Sequence, residues 1–520
     1  MIIRICLLVG SLLLHTAAMA PWGYTAAAWI CLVPLLVALE GLSPGRALAV
    51  GLAWGTAQIW LVCFWTAPAL AFYWQQPWWF GVAFLLIASA IFVGIYYGLF
   101  ALTLSRLRRR FSGIALALLT ASLWVSGELA QSRLLGGDPW MLLGYALVPR
   151  PQLIQLAEIG GVFLLSFVVA LVNALLAVAW RSSRPWRPLV LAVAAVVGVA
   201  VYGEMRLAAT WPQENTSRVA VIQGNNDPGS QWDSREHGRG LETYLRLTRA
   251  ALASKPAVIV WPESSVTFFM ALEKGFQEQI ARLAAASEVE IILGGPHADT
   301  TEAERPHYFN SAFRIDREGQ LAGRYDKTHL LPFAEYFPLQ TISLLRRQFE
   351  RVRSFTPGGP PQLLPSPLGP VAVAICFEGI FPSLVRSYMA EGAGWLINLS
   401  NDAWLSAGTK SEGAAIEDPE RERFATAGPE QHLTMVALRS VEHRTWVVRA
   451  TTTGVSAIID PWGRIVERSR SFREAIVEHE VGAIRVTTPY ERFGDSFAWM
   501  CLAVSAGALG LGSRARPHRL

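Results

Sequence analysis

Up to about residue 206 the chain runs in long apolar blocks separated by short polar connections. A helix needs roughly 20 such residues to cross a bilayer. The blocks near 3–20, 24–42, 48–71, 79–104, 113–133, 153–180 and 187–206 meet that length, and an eighth lies at 496–513. From about 215 the period changes. Short β-branched runs ending in turn or polar residues appear at "SRVAVIQGN" (217–225), "AVIVWPES" (257–264) and "EIILGGPH" (290–297). Helical spacing occupies 237–253 and 273–286 between them, and "YFNSAFRID" with "QLAGRYDK" (320–327) predicts a hairpin. "VAVAIC" (371–376), a helix at 380–391, "WLINLSND" (395–402), a helix at 430–444 and a strand pair across "DPWG" (460–463) follow. Strands alternating with helices predict an α/β fold with helices covering the sheet faces. The expected organisation is therefore a membrane domain over 1–206 with seven spans and an α/β domain over 215–490. An eighth span at 496–513 and a cytoplasmic tail at 514–520 complete it.

Composition sharpens this division. The 520 residues are 52% hydrophobic and only 16% charged, where a soluble domain usually carries about a quarter. The net charge of +5 does not point to nucleic acid, because the arginines sit at the ends of apolar blocks. Arg106 and Arg108 to Arg110 form one cluster, Arg181, Arg184 and Arg187 another, and Arg514, Arg516 and Arg519 a third. Positive connections mark the cytoplasmic side of a membrane. Setting all three inside puts the α/β domain outside the cytoplasm, and the uncharged aromatic connection "YWQQPWW" (73–79) falls at the outer interface. The start, ending Ala18-Met19-Ala20, imitates a cleavable signal peptide and gives the same orientation either way. The glycines of "GALGLGS" (507–513) lie in an apolar span, where small residues serve helix packing.

Three chemically capable residues stand one step beyond apolar strands: Glu263, Lys327 and Cys376. In α/β sheets, chemistry gathers where strands end. Taken singly, Glu263 and Lys327 read as side chains emerging into solvent, and Cys376 as a buried structural thiol. Together they make a base, a cation and a nucleophile, the inventory of covalent acyl transfer. Cys376 has no disulfide partner in the α/β part, because Cys6, Cys31, Cys63 and Cys501 fall in apolar blocks. CxxC, HExxH, GxSxG and Walker A patterns are absent, so nothing calls for a metal or cofactor. His329, the histidine nearest to Lys327, reads as a hydrogen-bonding loop residue.

These segments resemble the nitrilase superfamily, whose Glu-Lys-Cys triad occupies strand ends of an αββα sandwich. With the spans included, "WPES" (261–264), "RYDKTHLLPFAEY" (324–336), "AICFE" (374–378) and "SNDAW" (400–404) resemble the membrane-bound branch, the apolipoprotein N-acyltransferases. The resemblance implies a multi-pass protein of the bacterial inner membrane with its catalytic domain on the periplasmic side. It implies a ping-pong reaction with a phospholipid acyl donor, a cysteine thioester and a diacylglyceryl-modified apolipoprotein acceptor. It makes Cys376 the nucleophile, Glu263 the general base and acid, and Lys327 the oxyanion stabiliser. Glu335, Glu378 and Trp232 match further residues the family needs, and Phe377 stands where the family often has tyrosine. The Phe377 backbone amide remains available for an oxyanion hole.

A free cysteine titrates near ~8.5, so a nearby ammonium and the amides of a helix start at Cys376 are expected to increase its thiolate fraction. The charged stretch "KSEGAAIEDPERERFATAG" (410–428) reads as a solvated loop or as a lid. "SVTFFMALEKGF" (265–276) and "LLPFAEYFPLQTISLL" (330–345) read equally as core or as lipid-docking arms. A membrane-tethered nitrilase-type amidase would carry the same site. A transporter or receptor with a ligand-binding domain would instead need charges inside the spans, and only Glu40, Glu128 and Asp138 lie near span ends.

Overall fold

A computed structural model describes residues 1–210, 213–226, 237–300, 306–337, 354–406 and 426–514. Two compact units are present. One comprises Met1–Pro68, Pro77–Thr210 and Thr488–Leu520; the other comprises Ala69–Gln76 and Trp211–Thr487.

The first unit is helical. Among the described residues, Trp78–Leu107, Gly113–Gln131, Ala157–Ala179 and Trp186–Leu207 are each long and apolar enough to cross a membrane. Pro44–Val62 and Thr66–Phe72 add a fifth candidate if counted together, although a 67° bend separates them. Ile2–Ala18, Thr25–Ala38 and Ser496–Gly510 are apolar but shorter. The uninterrupted spans expected near 24–42 and 48–71 are thus broken. Helix also fails at Gly160 and Gly161, where φ at Gly161 is +62° and a Cβ would meet the Tyr490 ring at 2.5 Å. Two buried acids of this unit have polar partners. Glu128, fully buried, accepts from Trp124 Nε1 (3.0 Å) and the Leu143 amide (2.8 Å). Glu158, which the hydropathy pattern did not single out, is bridged by Arg206 at 2.6 Å. Both tie segments together, Glu128 through one of its two oxygens.

The second unit is built from two sheets. The strands are β1 (Glu214–Gln223), β2 (Val258–Val260), β3 (Glu290–Asp299), β4 (His307–Ile315), β5 (Leu321–Asp326), β6 (Val371–Ile375), β7 (Trp395–Ser400), β8 (Val447–Thr451), β9 (Ala457–Ile459), β10 (Ile465–Arg468) and β11 (Ala475–Ala483). The first sheet has the order β11-β1-β2-β3-β4-β5 and the second β10-β9-β8-β7-β6. In the first, the parallel strands β1-β2-β3 are flanked on both sides by antiparallel ones; in the second, the parallel strands β8-β7-β6 run to the edge, with antiparallel β9 and β10 on the other side. Helices α1 (His237–Ala251), α2 (Lys274–Ser287), α3 (Pro382–Ala390) and α4 (Ala427–His443) supply the crossovers. "VAVAI" and "WLINLS" are buried at every position, as parallel strands covered on both faces must be.

Helices α1 and α2 close over the first sheet through Leu241, Tyr244, Leu245, Ile280 and Ala284, which meet Ile222, Ile259, Trp261 and Ile291. Val266, Phe268 and Met270 belong to the same core. The 265–276 stretch is therefore core over 265–270, while 271–275 are exposed. Residues 338–345 of the other candidate arm, and 410–425 of the charged stretch, lie outside the described residues.

Gly294 on β3 governs how closely the end of β2 approaches. A Cβ there would stand 2.6 Å from Glu263 Cα and 2.7 Å from the Pro262 carbonyl oxygen. Backbone cannot yield as a side chain does, so Gly294→Ala is expected to destabilise this unit by about 1–3 kcal/mol. Thermal unfolding checks it, with Gly359→Ala, which meets nothing within 4 Å, as the unaffected control.

Candidate active site

The ends of β2, β5 and β6 converge on a buried ion cluster. Lys327 follows β5 directly, and its backbone N–H donates to the Asn310 carbonyl of β4 at 2.8 Å. Its ammonium is 1% exposed and lies 2.9–3.0 Å from both oxygens of Glu335 and 3.5 Å from Glu263 Oε1. Burial alone would lower the lysine pKa, but the carboxylates of Glu335 and Glu263 more than offset it and hold it above its ordinary value. Lys327 is thus a permanent cation.

Both acids are held in turn. The Asn310 side-chain amide donates at 2.7 Å to Glu263 Oε1 and to Glu335 Oε1. The second oxygen of Glu263 accepts from the Asn401 backbone N–H at 2.7 Å, and that of Glu335 from the Leu331 N–H at 2.8 Å. Carboxylates fixed this way keep one orientation through a reaction.

Cys376 follows β6 directly, has φ of +53° and is 3% exposed. A non-glycine residue in the left-handed region costs of order 1 kcal/mol or more and persists only where its surroundings impose it. Glu378 is part of what imposes it. Its fully buried carboxylate accepts from the backbone amides of Ile375 (2.8 Å), Thr328 (2.7 Å) and His329 (2.9 Å), and from the Thr328 hydroxyl at 3.0 Å. The Tyr325 hydroxyl lies 2.8 Å from the same oxygen and also meets Tyr388. One carboxylate therefore ties the turn at Cys376 to the loop that carries Lys327. Cys376 opens a short 3₁₀ turn, Cys376–Ile380, and the α-helix starts only at Pro382. The expected α-helix start at the cysteine is absent.

The thiol differs from expectation too. Burial, then the Glu263 carboxylate, push the Cys376 pKa well up, against the opposing pull of Lys327. Desolvation outweighs the ammonium, so the resting site holds a neutral thiol. Such a group becomes nucleophilic only as its proton leaves to an adjacent base.

Phe377 is partly exposed and packs against Phe381 with ring centroids 4.9 Å apart, while the His329 ring lies 4.1 Å from Phe381. Trp232 lies outside the described residues. Of the residues singled out from sequence, Glu263, Lys327, Cys376, Glu335, Glu378 and Phe377 come together. Sequence reading passed over Asn310, Tyr325 and a fully buried group comprising Asn398, Asp402 and Arg449. Arg449 was the detectable one, a charge inside the β-branched run "WVVRATT" (446–452). The Arg449 guanidinium outweighs burial and holds Asp402 down at about 2.

Residues 11–175 match the family described as apolipoprotein N-acyltransferase N-terminal domain, and residues 218–487 match the carbon-nitrogen hydrolase family. An apolipoprotein N-acyltransferase of Geobacter metallireducens is 33% identical over 95% of this chain and 92% of its own. Those of Pseudomonas putida and Vibrio parahaemolyticus are 32% and 29% identical, over 95% and 94% of this chain and 93% and 94% of theirs.

Because the thiol's pKa is raised, alkylation of Cys376 by iodoacetamide is expected to keep accelerating as pH rises past ~8.5, the ordinary cysteine value. Rates measured from neutral to alkaline pH check this. A plateau at or below that value would mean a resting thiolate.

Proposed function

The chain belongs to the apolipoprotein N-acyltransferase family, and from that premise we propose the reaction path, the roles of its residues and its place in the cell. Cys376 attacks the ester carbonyl of a phospholipid. Its proton passes to Glu263, and the carbonyl oxygen becomes an oxyanion facing the Lys327 ammonium. Collapse breaks the ester C–O bond, and the departing lysophospholipid alkoxide takes the proton back from Glu263. The acyl chain is left as a thioester on Cys376. The α-amine of a diacylglyceryl-cysteine at a lipoprotein N-terminus then attacks that thioester. Glu263 accepts the amine's proton and returns it to the departing thiolate, giving an amide and the free thiol.

The observation that carries this reading is the buried ammonium shared by two oriented carboxylates at the strand ends beside Cys376. Such a cation is already in position when negative charge develops, so no reorganisation is needed. The neutral resting thiol fits a base that works twice, once in each half-reaction. Glu335 and Glu378 hold the lysine and the nucleophile in place, Phe377 contributes its amide, and Trp232 matches a further position the family needs. The domain has seven spans before it and one after it. It sits on the periplasmic face of the inner membrane, because the arginine clusters mark the opposite face. Both substrates are lipids of that membrane, so tethering raises their effective concentration at the site.

Incubating the full-length protein with a phospholipid labelled in its acyl chain is expected to add one acyl mass to the Cys376 peptide, removable by hydroxylamine. An unmodified Cys376 under turnover conditions would contradict this reading. Glu263→Gln should slow thioester formation and thioester consumption alike, by about 10²–10⁴-fold. Lys327→Met should slow both steps by roughly a hundredfold or more. Single-turnover kinetics of each half-reaction measure these losses.

A further inference from the structure

A second polar cluster lies behind the nucleophile, and the proton transfers above make no use of it. Asn398 on β7 and Arg449 on β8 are register partners, Asp402 follows β7, and His432 projects from α4. Asn398, Asp402 and Arg449 are fully buried and His432 is 2% exposed. Arg449 is the hub. One of its terminal nitrogens donates to Asn398 Oδ1, and the other to Asp402 Oδ2 at 2.7 Å. Asp402 Oδ1 accepts from the Ser400 hydroxyl at 2.7 Å and faces His432 Nδ1 at 3.3 Å.

Both arms of the hub end on one atom. Asn398 Nδ2 donates to the Cys376 carbonyl oxygen at 3.3 Å and to that of Ala374 at 3.0 Å. His432 Nε2 stands 3.1 Å from the same Cys376 oxygen. A carbonyl offers only lone pairs, so Nε2 carries a proton; Asp402 Oδ1 likewise only accepts, so the Nδ1 contact is a hydrogen bond only when the ring is doubly protonated.

The peptide plane converts this anchor into an aim. In a trans peptide, the C=O of one residue and the N–H of the next point in opposite directions. Fixing the Cys376 carbonyl on the side of His432 and Asn398 therefore fixes the Phe377 N–H on the other side. The residue that precedes this amide is the one in the strained left-handed conformation, where an unanchored peptide would relax by turning.

We propose that Arg449, Asp402, His432 and Asn398 form a clamp on the Cys376 carbonyl that aims the Phe377 amide at the oxygen of the tetrahedral intermediate, with His432 as its positioning residue. The proposal rests on the acyl-enzyme chemistry above. His432 exchanges no proton with substrate, and its contribution is felt only where an oxyanion forms.

Two substitutions separate the ring's two contacts. The amide of a glutamine reaches the place of Nε2, whereas that of an asparagine reaches only the place of Nδ1. His432→Gln thus keeps a donor for the Cys376 carbonyl, and His432→Asn keeps a polar neighbour for Asp402 but loses that donor. The full-length enzyme is compared in single-turnover thioester formation from a labelled phospholipid and in alkylation of Cys376 by iodoacetamide, which creates no oxyanion. His432→Gln is expected within about fivefold of wild type in thioester formation and His432→Asn roughly a hundredfold slower, with alkylation alike in all three. Equal acylation rates in the two variants, fast or slow, would overturn the clamp. So would alkylation that falls in step with acylation, which would mark a merely structural histidine. Failure of the wild type itself to form a thioester would instead remove the acyl-enzyme reading on which the clamp depends.

Discussion

The Lys327 ammonium, buried to within 1% of its surface, is the constraint around which the α/β unit is arranged. Desolvating one such ion costs several kcal/mol, which is recovered only if its partners are well placed and themselves satisfied. Glu335 and Glu263 are those partners, and Asn310, Leu331 and Asn401 satisfy them. These residues come from β4, from the loops after β2 and β5, and from the end of β7, so the ion cluster locks strand ends of both sheets together. Losing Lys327 would leave two buried carboxylates without a counter-charge. The same arrangement sets the state of the thiol. With the cation already engaged by two carboxylates, too little of its field is left to ionise a buried sulfur.

A second constraint works on the backbone at Cys376. Cys376 holds a left-handed conformation between two anchors, Glu378 on the Ile375 amide and the His432–Asn398 pair on its own carbonyl. Glu378 also receives Tyr325 and the Thr328 and His329 amides from the lysine loop. That carboxylate therefore joins the turn at Cys376 to the loop that carries Lys327. In sequence, Glu378 looks like an acid beside a cysteine and invites a role in proton transfer. Buried among donors, it acts as a brace.

What could be read in the chain followed from strong local patterns. Buried parallel strands such as "VAVAI" are almost wholly apolar, so a reactive residue just beyond one is conspicuous, and Glu263, Lys327 and Cys376 were found that way. Strand β11 was missed because "AIVEHEVGA" mixes charge with β-branched residues, and pairing with β1 is a long-range matter. Asn310 was missed because an asparagine in a strand has no distinctive spacing; only the β4–β5 pairing brings it to the lysine. The continuity of the apolar blocks was overstated for a related reason. Hydropathy registers apolar content, whereas the break after Val62 and the left-handed Gly161 are backbone events. The thiol's protonation was misjudged because sequence reveals a neighbouring charge more readily than the depth of burial that opposes it.

The central claim is that Cys376 carries an acyl chain between two lipid substrates, and the fate of the isolated acyl-enzyme tests it most directly. Protein acylated on Cys376 by labelled phospholipid, freed of excess donor, would be chased with a synthetic peptide bearing an N-terminal diacylglyceryl-cysteine, and in parallel with buffer alone. The account predicts that the label leaves Cys376 with the peptide and appears as an amide on its α-amine, while the buffer control keeps its thioester. Label lost to water at the same rate with and without the peptide, with no acylated amine formed, would contradict it.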